Sequence, residues 1–247
     1  MPFKTTFKRY ELKYMLTYEQ KEKIMSIIKA HMHPDKYGKS TIRNIYYDTN
    51  DYLLIRRSIE KPVYKEKLRI RSYEMVENDG NVFVELKRKY KGVVYKRRVA
   101  VKNSGAVEWL SGKSHDLEHT QITNEIDYFL KLYKNLEPKV FLSYEREAYF
   151  ADDGTDFRVT FDQNILCRTK DLTLSLEAYG TQILPQNKVL MEIKCSGGIP
   201  LWMCEFLSKE KIYKTPFSKY GTAYKTLVFP KNHKIKAYNM LEVNKNA

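Results

Sequence analysis

The feature that most restricts this chain is a strict alternation of charged and apolar side chains, repeated in run after run. Thr6–Tyr14 puts Glu11 and Lys13 on one side and Tyr10, Leu12 and Tyr14 on the other. Lys67-Leu68-Arg69-Ile70-Arg71 repeats the pattern with three cations. Val82–Lys89 sets Glu85, Lys87 and Lys89 against Val84 and Leu86, and Tyr95–Lys102 sets Lys96 and Arg98 against Val99 and Val101. Phe157–Asp162 sets Arg158, Thr160 and Asp162 against Phe157, Val159 and Phe161, and Val189–Lys194 sets Glu192 and Lys194 against Val189, Met191 and Ile193. Successive side chains of a strand point to opposite faces, so a two-residue period means strands. Twenty tyrosines and eleven phenylalanines suit a pleated surface.

Helices are fewer. Thr17 with Gln20 has capping-box spacing, followed by Ile24, Ile27, Ile28 and His31 at helical intervals. Thr120–Lys134 carries Ile122, Ile126, Phe129, Leu130 and Tyr133 on one stripe. Ser104–Leu110 reads as a short helix. Pro200 is expected to open a helix to about Lys211 with Leu201, Cys204 and Leu207 inward, and Pro216 another to about Val228. Trp109 and Trp202 fall on these helices as core residues. Turn signals at His33-Pro34-Asp35, Asn78–Asn81, Lys91-Gly92 and Asp152–Gly154 separate the elements, the second and third as hairpins. No linker or repeat interrupts the pattern, which predicts a single α+β domain over residues 1–247.

The charged faces then need a direction. One strand of this kind ordinarily turns its charge to solvent. Here six such runs coincide with helices whose apolar stripes need a sheet to cover. An eight-stranded antiparallel β-barrel with helices packed outside reconciles them, its cations facing a lumen of ligand size. The formal net charge of +14, from 44 Lys and Arg against 30 Asp and Glu, opposes compaction and points to an anionic partner. A lumen rich in cations and poor in acids needs a bound polyanion. Arg offers planar bidentate contacts to phosphate and Lys a mobile point charge. Neither a GxxxxGK[ST] nor a GxGxxG motif occurs, so a nucleotide held on a glycine-rich loop is excluded. Cys167, Cys195 and Cys204 lack metal-site spacing and fit reduced thiols of a cytoplasmic protein. No run approaches the length of a transmembrane helix, and peripheral association with the inner face of a membrane stays open. The five histidines, His31, His33, His115, His119 and His233, fall on helices or loops and carry no expected chemistry.

Seven motifs stand in a familiar order: Glu11–Tyr14, Lys67–Arg71, Glu85-Leu86-Lys87, Tyr144-Glu145-Arg146, Phe157–Asp162, Glu192-Ile193-Lys194 and Phe217–Tyr220. Over about residues 5–228 the chain resembles the VTC (vacuolar transporter chaperone) domain of the triphosphate tunnel metalloenzyme superfamily. The resemblance implies a tunnel of eight antiparallel strands. It also implies a polyphosphate polymerase that transfers the γ-phosphate of ATP to a growing polyphosphate chain, with Mn²⁺ or Mg²⁺. Carried over, Lys13, Arg69, Arg71, Lys87, Arg146, Arg158 and Lys219 would be catalytic cations that bind triphosphate and product. Lys194 would support them, with Lys89 and Arg98 as weaker substrate contacts, and Glu192 would be the metal ligand. Hydrolases of the superfamily begin with an ExExK strand. Arg9 stands here where the first Glu would be, which favours transfer over hydrolysis. The rivals are a hydrolase of inorganic or organic triphosphates on the same fold, and a non-catalytic module that binds polyphosphate or nucleic acid. Nucleic acid is not the expected partner, since no RNP-type motif occurs and inward charge excludes duplexes.

Overall fold

The computed structural model describes residues 6–230. Its ten strands form one antiparallel sheet: β1 (Thr6–Thr17), β2 (Met32–Pro34), β3 (Ser40–Asp48), β4 (Tyr64–Ser72), β5 (Asn81–Tyr90), β6 (Val93–Lys102), β7 (Glu137–Ala151), β8 (Arg158–Arg168), β9 (Thr181–Gln182) and β10 (Lys188–Cys195). Eight of them close a ring in the order β7-β3-β4-β5-β6-β1-β10-β8, because β8 pairs back onto β7. Strand β2 extends the far end of β7, and β9 the far end of β8. The helices are α1 (Tyr18–Ile28), α2 (Leu53–Ile59), α3 (Asn103–Leu110), α4 (Gln121–Leu132), α5 (Leu201–Lys209) and α6 (Lys219–Ala223), the last running into a π-helical turn at Tyr224–Val228. The α+β barrel demanded by the alternation is therefore present.

Local chemistry sets the boundaries. The β5–β6 hairpin turns on Lys91 and Gly92, both at positive φ (45° and 86°), as a two-residue turn matched to strand twist requires. Helix α1 opens on the capping box: Gln20 N donates to Thr17 Oγ1 at 3.1 Å, and Thr17 N donates to Gln20 Oε1 at 3.0 Å. Helix α2 was not visible in the periodicity. Its start is held by the fully buried Asp48, which accepts from Leu54 N at 2.8 Å and Ile55 N at 3.0 Å. Two helix readings need correction. Helix α5 buries Met203, Phe206 and Leu207, whereas Leu201 is 73% exposed and Cys204 half-buried. The sheet selects the face containing Phe206, and one residue of rotation carries Leu201 into solvent. The last helix starts after Ser218, whose Oγ accepts from Gly221 N, and not at Pro216. His31 lies beyond α1 and stacks on the half-buried Trp202, ring centroids 4.7 Å apart. Trp109 is buried as expected. His233 lies outside the described residues.

Outward-facing apolar positions form two cores between barrel and helices. Leu68, Ile70, Val84 and Leu86 pack on Trp109, Ile126 and Phe129, beneath α3 and α4. Leu16, Val159, Phe161 and Met191 pack on Ile24, Ile28, Met203 and Phe206, beneath α1 and α5. Each fully buried side chain of this size contributes about 1.5–3 kcal/mol. A third cluster fills part of the interior, where Tyr46, Leu142 and Leu190 meet Ile55, Tyr220 and Tyr224 of α2, α6 and the π turn. With both outer flanks covered, the charged strand faces are left to line the interior.

Candidate functional site: a cation-lined tunnel

Strand β4 shows the principle. Its inward positions Lys65, Lys67, Arg69 and Arg71 all border one cavity of about 2110 Å³. The cavity runs the length of the barrel, from Lys39, Tyr73 and Lys102 at one end to Lys61, Lys91, Lys214 and Lys225 at the other. Twenty of its lining residues are Lys or Arg and four are Asp or Glu. Every residue named from the sequence as a site candidate borders it: Lys13, Arg69, Arg71, Lys87, Lys89, Arg98, Arg146, Arg158, Glu192, Lys194 and Lys219.

They divide into two networks. On the β4–β5 side, the fully buried Glu85 accepts from Arg69 Nε at 2.9 Å and Arg69 Nη2 at 2.6 Å, and from Lys96 Nζ at 3.1 Å. Arg69 Nη1 also donates to the Tyr46 hydroxyl at 2.8 Å. Arg71 donates to Asn44 Oδ1 at 2.9 Å and to the Tyr144 hydroxyl at 3.0 Å. Burial works against the Glu85 charge, but Arg71, Lys96 and Arg69 together hold its carboxyl well below the ordinary range. Across the lumen, cross-strand register sets Lys13 opposite Glu192, Glu192 opposite Thr160, and Arg146 opposite Asp162. Arg146 grips Asp162 with two bonds, of 2.6 and 2.7 Å. Lys219, delivered by α6, donates to Asp162 at 2.5 Å and to Glu192 at 2.9 Å. Burial opposes the Lys219 charge, yet Asp162 and Glu192 outweigh it and raise its pKa. Lys194 bonds Thr160 Oγ1 at 2.9 Å and Lys13 bonds the Phe217 carbonyl at 2.9 Å. Lys87 joins this side through Glu11 at 2.6 Å.

Three further candidates border the cavity: Arg98, directly across the β5–β6 pair from Glu85, and Arg158 and Lys89 farther along the lining. Arg158 covers the Phe150 ring at 4.4 Å and reaches Asp35 at 3.4 Å; burial, with Arg146 beside it, draws its pKa down to about 10. Arg98 lies over the Phe83 ring at 4.7 Å, and Lys89 stands opposite Lys65. The expectation of a lumen poor in acids needs qualification. The lining is strongly cationic, but its innermost cations are matched by Glu85, Asp162, Glu192 and Glu11. Sequence reasoning missed Lys67 and Lys96 as site residues, although both share the parity of their quoted neighbours. Lys67 Nζ donates to Ser218 Oγ at 3.1 Å. Burial, with Lys13 and Lys87 next, pushes its pKa well below the ordinary value. Burial likewise draws Lys96 to about 7, against Glu85. Tyr46 and Tyr144, inward phenols that orient the two guanidiniums, carried no charge signal.

The expected metal can be tested on the donors present. Glu192 Oε1 faces Lys219 and, at 3.6 Å, Lys13; Oε2 faces Lys194 at 3.2 Å and Arg146 at 3.4 Å. Among the described residues no three His, Cys, Asp or Glu side chains converge as metal ligands. Both Glu192 oxygens are thus engaged by cations, so the protein donors alone do not make a metal site; a hard divalent ion would have to be carried mainly on phosphate oxygens, with Glu192 as the lining carboxylate at the centre able to reach it.

A family model described as the VTC domain matches residues 8–228. No curated protein sequence matches the chain. Among solved structures, a protein of Bacillus halodurans provisionally assigned as an adenylate cyclase superposes with a TM-score of 0.54 at 16% identity, covering 87% of this chain and 96% of its own. A provisionally assigned adenylyl cyclase of Hippeastrum, described as revealing a dominant triphosphatase activity, superposes with a TM-score of 0.51 at 13% identity over 88% of this chain and 96% of its own. These likenesses establish a shared fold. No helix among the described residues is long and apolar enough to cross a membrane.

Proposed function

Because the chain belongs to the VTC domain family, we propose that it is a polyphosphate polymerase, extending polyphosphate with the γ-phosphate of ATP in one domain. The observation that carries this reading is the convergence of cations from β1, β4, β5, β6, β7, β8, β10 and α6 on one elongated cavity. A string of linked phosphates needs charge distributed along a path, which a single phosphate loop does not supply.

Phosphoryl transfer asks for in-line positioning and neutralised oxygen charge. Arg69 and Arg71, fixed by Glu85, Tyr46 and Asn44, present a rigid wall to the triphosphate. Arg146, Lys194 and Lys219 form the opposite wall, with Lys13 and Lys87 between the two. Arg158, Lys89 and Arg98 extend cationic contact along the lining. A divalent Mn²⁺ or Mg²⁺ ion held by Glu192 would neutralise phosphate oxygens as charge shifts to the leaving group. The acceptor phosphate is already ionised near neutral pH, so no side-chain nucleophile is needed. Arg9 borders the cavity on the β1 face and adds charge near Arg158. A cation there, in place of a further acid, supports transfer over metal-assisted hydrolysis.

The test is incubation of the purified protein with ATP and Mn²⁺, then separately with tripolyphosphate, with products sized by gel. Long chains from ATP are expected. Release of orthophosphate alone would reject the polymerase in favour of a triphosphatase, and tight binding without turnover would reject both. In Glu192→Ala, turnover should fall by at least about 100-fold, while tripolyphosphate binding persists because a negative charge has left the lumen. An unchanged rate removes Glu192 as the metal contact.

A further inference from the structure

The two mouths of the tunnel are lined by different chemistry. One mouth carries Lys61, Lys65, Lys89, Lys91, Lys214 and Lys225, with no acid among the described residues there. At the other mouth the charge pattern breaks. Between the inner arginines and the rim, the inward positions are Tyr73 directly after β4, Phe83 on β5 and Ala100 on β6. Register sets Phe83 opposite Arg71 on one side and opposite Ala100 on the other. The inner cation wall therefore ends on two rings and a methyl group.

These side chains form a shelf. Tyr73 meets Phe83 edge to face, ring centroids 5.8 Å apart at 84°. The Arg98 guanidinium lies 4.7 Å over the Phe83 ring. Phe83 is 8% exposed, but Tyr73 is 44% exposed, so its ring is not spent on packing. Ala100 is exposed as well, and leaves room beside the shelf where its inward neighbours Arg98 and Lys102 carry long side chains. The ring across the lumen is already covered: Phe150 has Arg158 over it at 4.4 Å and His33 stacked at 6.1 Å. Linked phosphates gain nothing from an uncharged ring. A nucleobase does, since stacking on an aromatic side chain contributes about 1–3 kcal/mol per base and tolerates any base. Tyr73 stands two residues beyond Arg71, about 7 Å at the rise of a strand, which suits a ribose between phosphate and base. We propose that Tyr73, Phe83, Arg98 and Ala100 form the nucleobase subsite of the tunnel. Asn81, which borders the cavity opposite Lys102, offers an amide to the base edge, the group that pairs with N6 and N7 of adenine.

The subsite rests on the reading of the tunnel as an ATP site, and it gives that tunnel a direction. With the base at the Tyr73 mouth, the triphosphate points inward past Arg71 and Arg69. In-line transfer then puts the acceptor on the far side of the γ-phosphorus. The acceptor oxygen forms the new P–O bond as the β,γ-bridging P–O bond breaks, and ADP keeps the electron pair and leaves by the Tyr73 mouth. The growing chain lies toward the Lys61 mouth, where the lining offers lysines alone as charge.

The test is calorimetric titration of the full chain, without divalent metal, with tripolyphosphate and with AMPPNP, an ATP analogue that resists transfer. Tyr73→Ala, which removes the ring, and Ala100→Leu, which fills the space, should each weaken AMPPNP by about tenfold and change tripolyphosphate by no more than about twofold. Both positions are exposed, so neither change opens a hole in the core. Equal losses for the two ligands, or no loss for either, reject the subsite, as does a wild type that binds tripolyphosphate but not AMPPNP. Photolabelling with ATP that carries an azide on the adenine should place the adduct around Tyr73, Phe83 and Arg98. Label at Lys61, Lys91 or Lys225 would reverse the direction and overturn the proposal. A protein that shows the expected selectivity and label yet makes no chains keeps the subsite and loses the polymerase.

Discussion

Lys67 shows what function costs at the scale of one residue. It lies in the lumen near Lys13, Lys87 and Arg69, all of which depress its pKa, and its hydrogen bond goes to a neutral hydroxyl. A buried cation without a carboxylate is destabilising, and its removal relieves the fold. Lys67→Met should therefore stabilise the ligand-free protein by about 1 kcal/mol, or about 2–4 °C in melting temperature, while weakening tripolyphosphate binding by about tenfold or more. A variant that loses stability and keeps affinity would remove Lys67 from the binding surface. The same residue sets a pH dependence. In the free protein Lys67 titrates well below an ordinary lysine, and Lys96 near about 7. Bound phosphate favours both charged forms, so binding takes up protons, and proton uptake makes affinity fall as pH rises above about 7. Calorimetry at pH 8 in buffers of different ionisation enthalpy should show net uptake; net release would contradict the assignment. Alternation made such residues findable, because every second position of β4 from Lys65 to Arg71 is basic. It could not show that Glu85 and Asp162 would already pair the deepest cations, since pairing depends on which strands become neighbours.

At the scale of elements, the short helices near one end of the barrel decide whether the tunnel is complete. Asp48 closes β3, caps α2, and accepts from the Tyr220 hydroxyl of α6 at 2.9 Å. One carboxylate thus ties the strand to the helix that delivers Lys219. Asp48→Ala should cost about 2–3 kcal/mol in urea unfolding and also weaken tripolyphosphate binding, because α6 loses its anchor. Thr17→Ala, which breaks the α1 cap on the outer surface, should cost about 1 kcal/mol and leave binding intact. Equal effects of the two on affinity would show that α6 does not depend on Asp48. Helix α1 was legible because its cap and stripe are local. Helix α2 was not, because its anchor, Asp48, is the end of a strand and is itself held by Tyr220, 172 positions away. The face of α5 was misjudged for a related reason: periodicity gives a stripe, but the sheet chooses which edge of the stripe turns inward.

At the scale of the whole molecule, eight strands of alternating character, covered outside by helices, can only turn their charges inward. That much was written in the sequence, and the ring closed by β7 and β8 realises it. A tunnel lined along its length makes a demand on ligand size that a single phosphate pocket does not. The inward cations of β4 from Lys65 to Arg71 span about 20 Å at the rise of a strand. The lining continues to Lys214 and Lys225 at one end and to Lys39 and Lys102 at the other. Each added phosphate should therefore meet further positive charge until the ligand is as long as the barrel. Affinity is expected to rise from pyrophosphate to tripolyphosphate to longer chains and then level off. At 100 times its dissociation constant each ligand should stabilise the fold by about 2.7 kcal/mol, so melting curves at fixed concentration rank the series. Added salt should weaken the longer chains most, because they engage more cations. If affinity instead stops improving at two phosphates, the end cations do not contact substrate, and the protein is a pocket for short phosphates and not a channel for a growing chain.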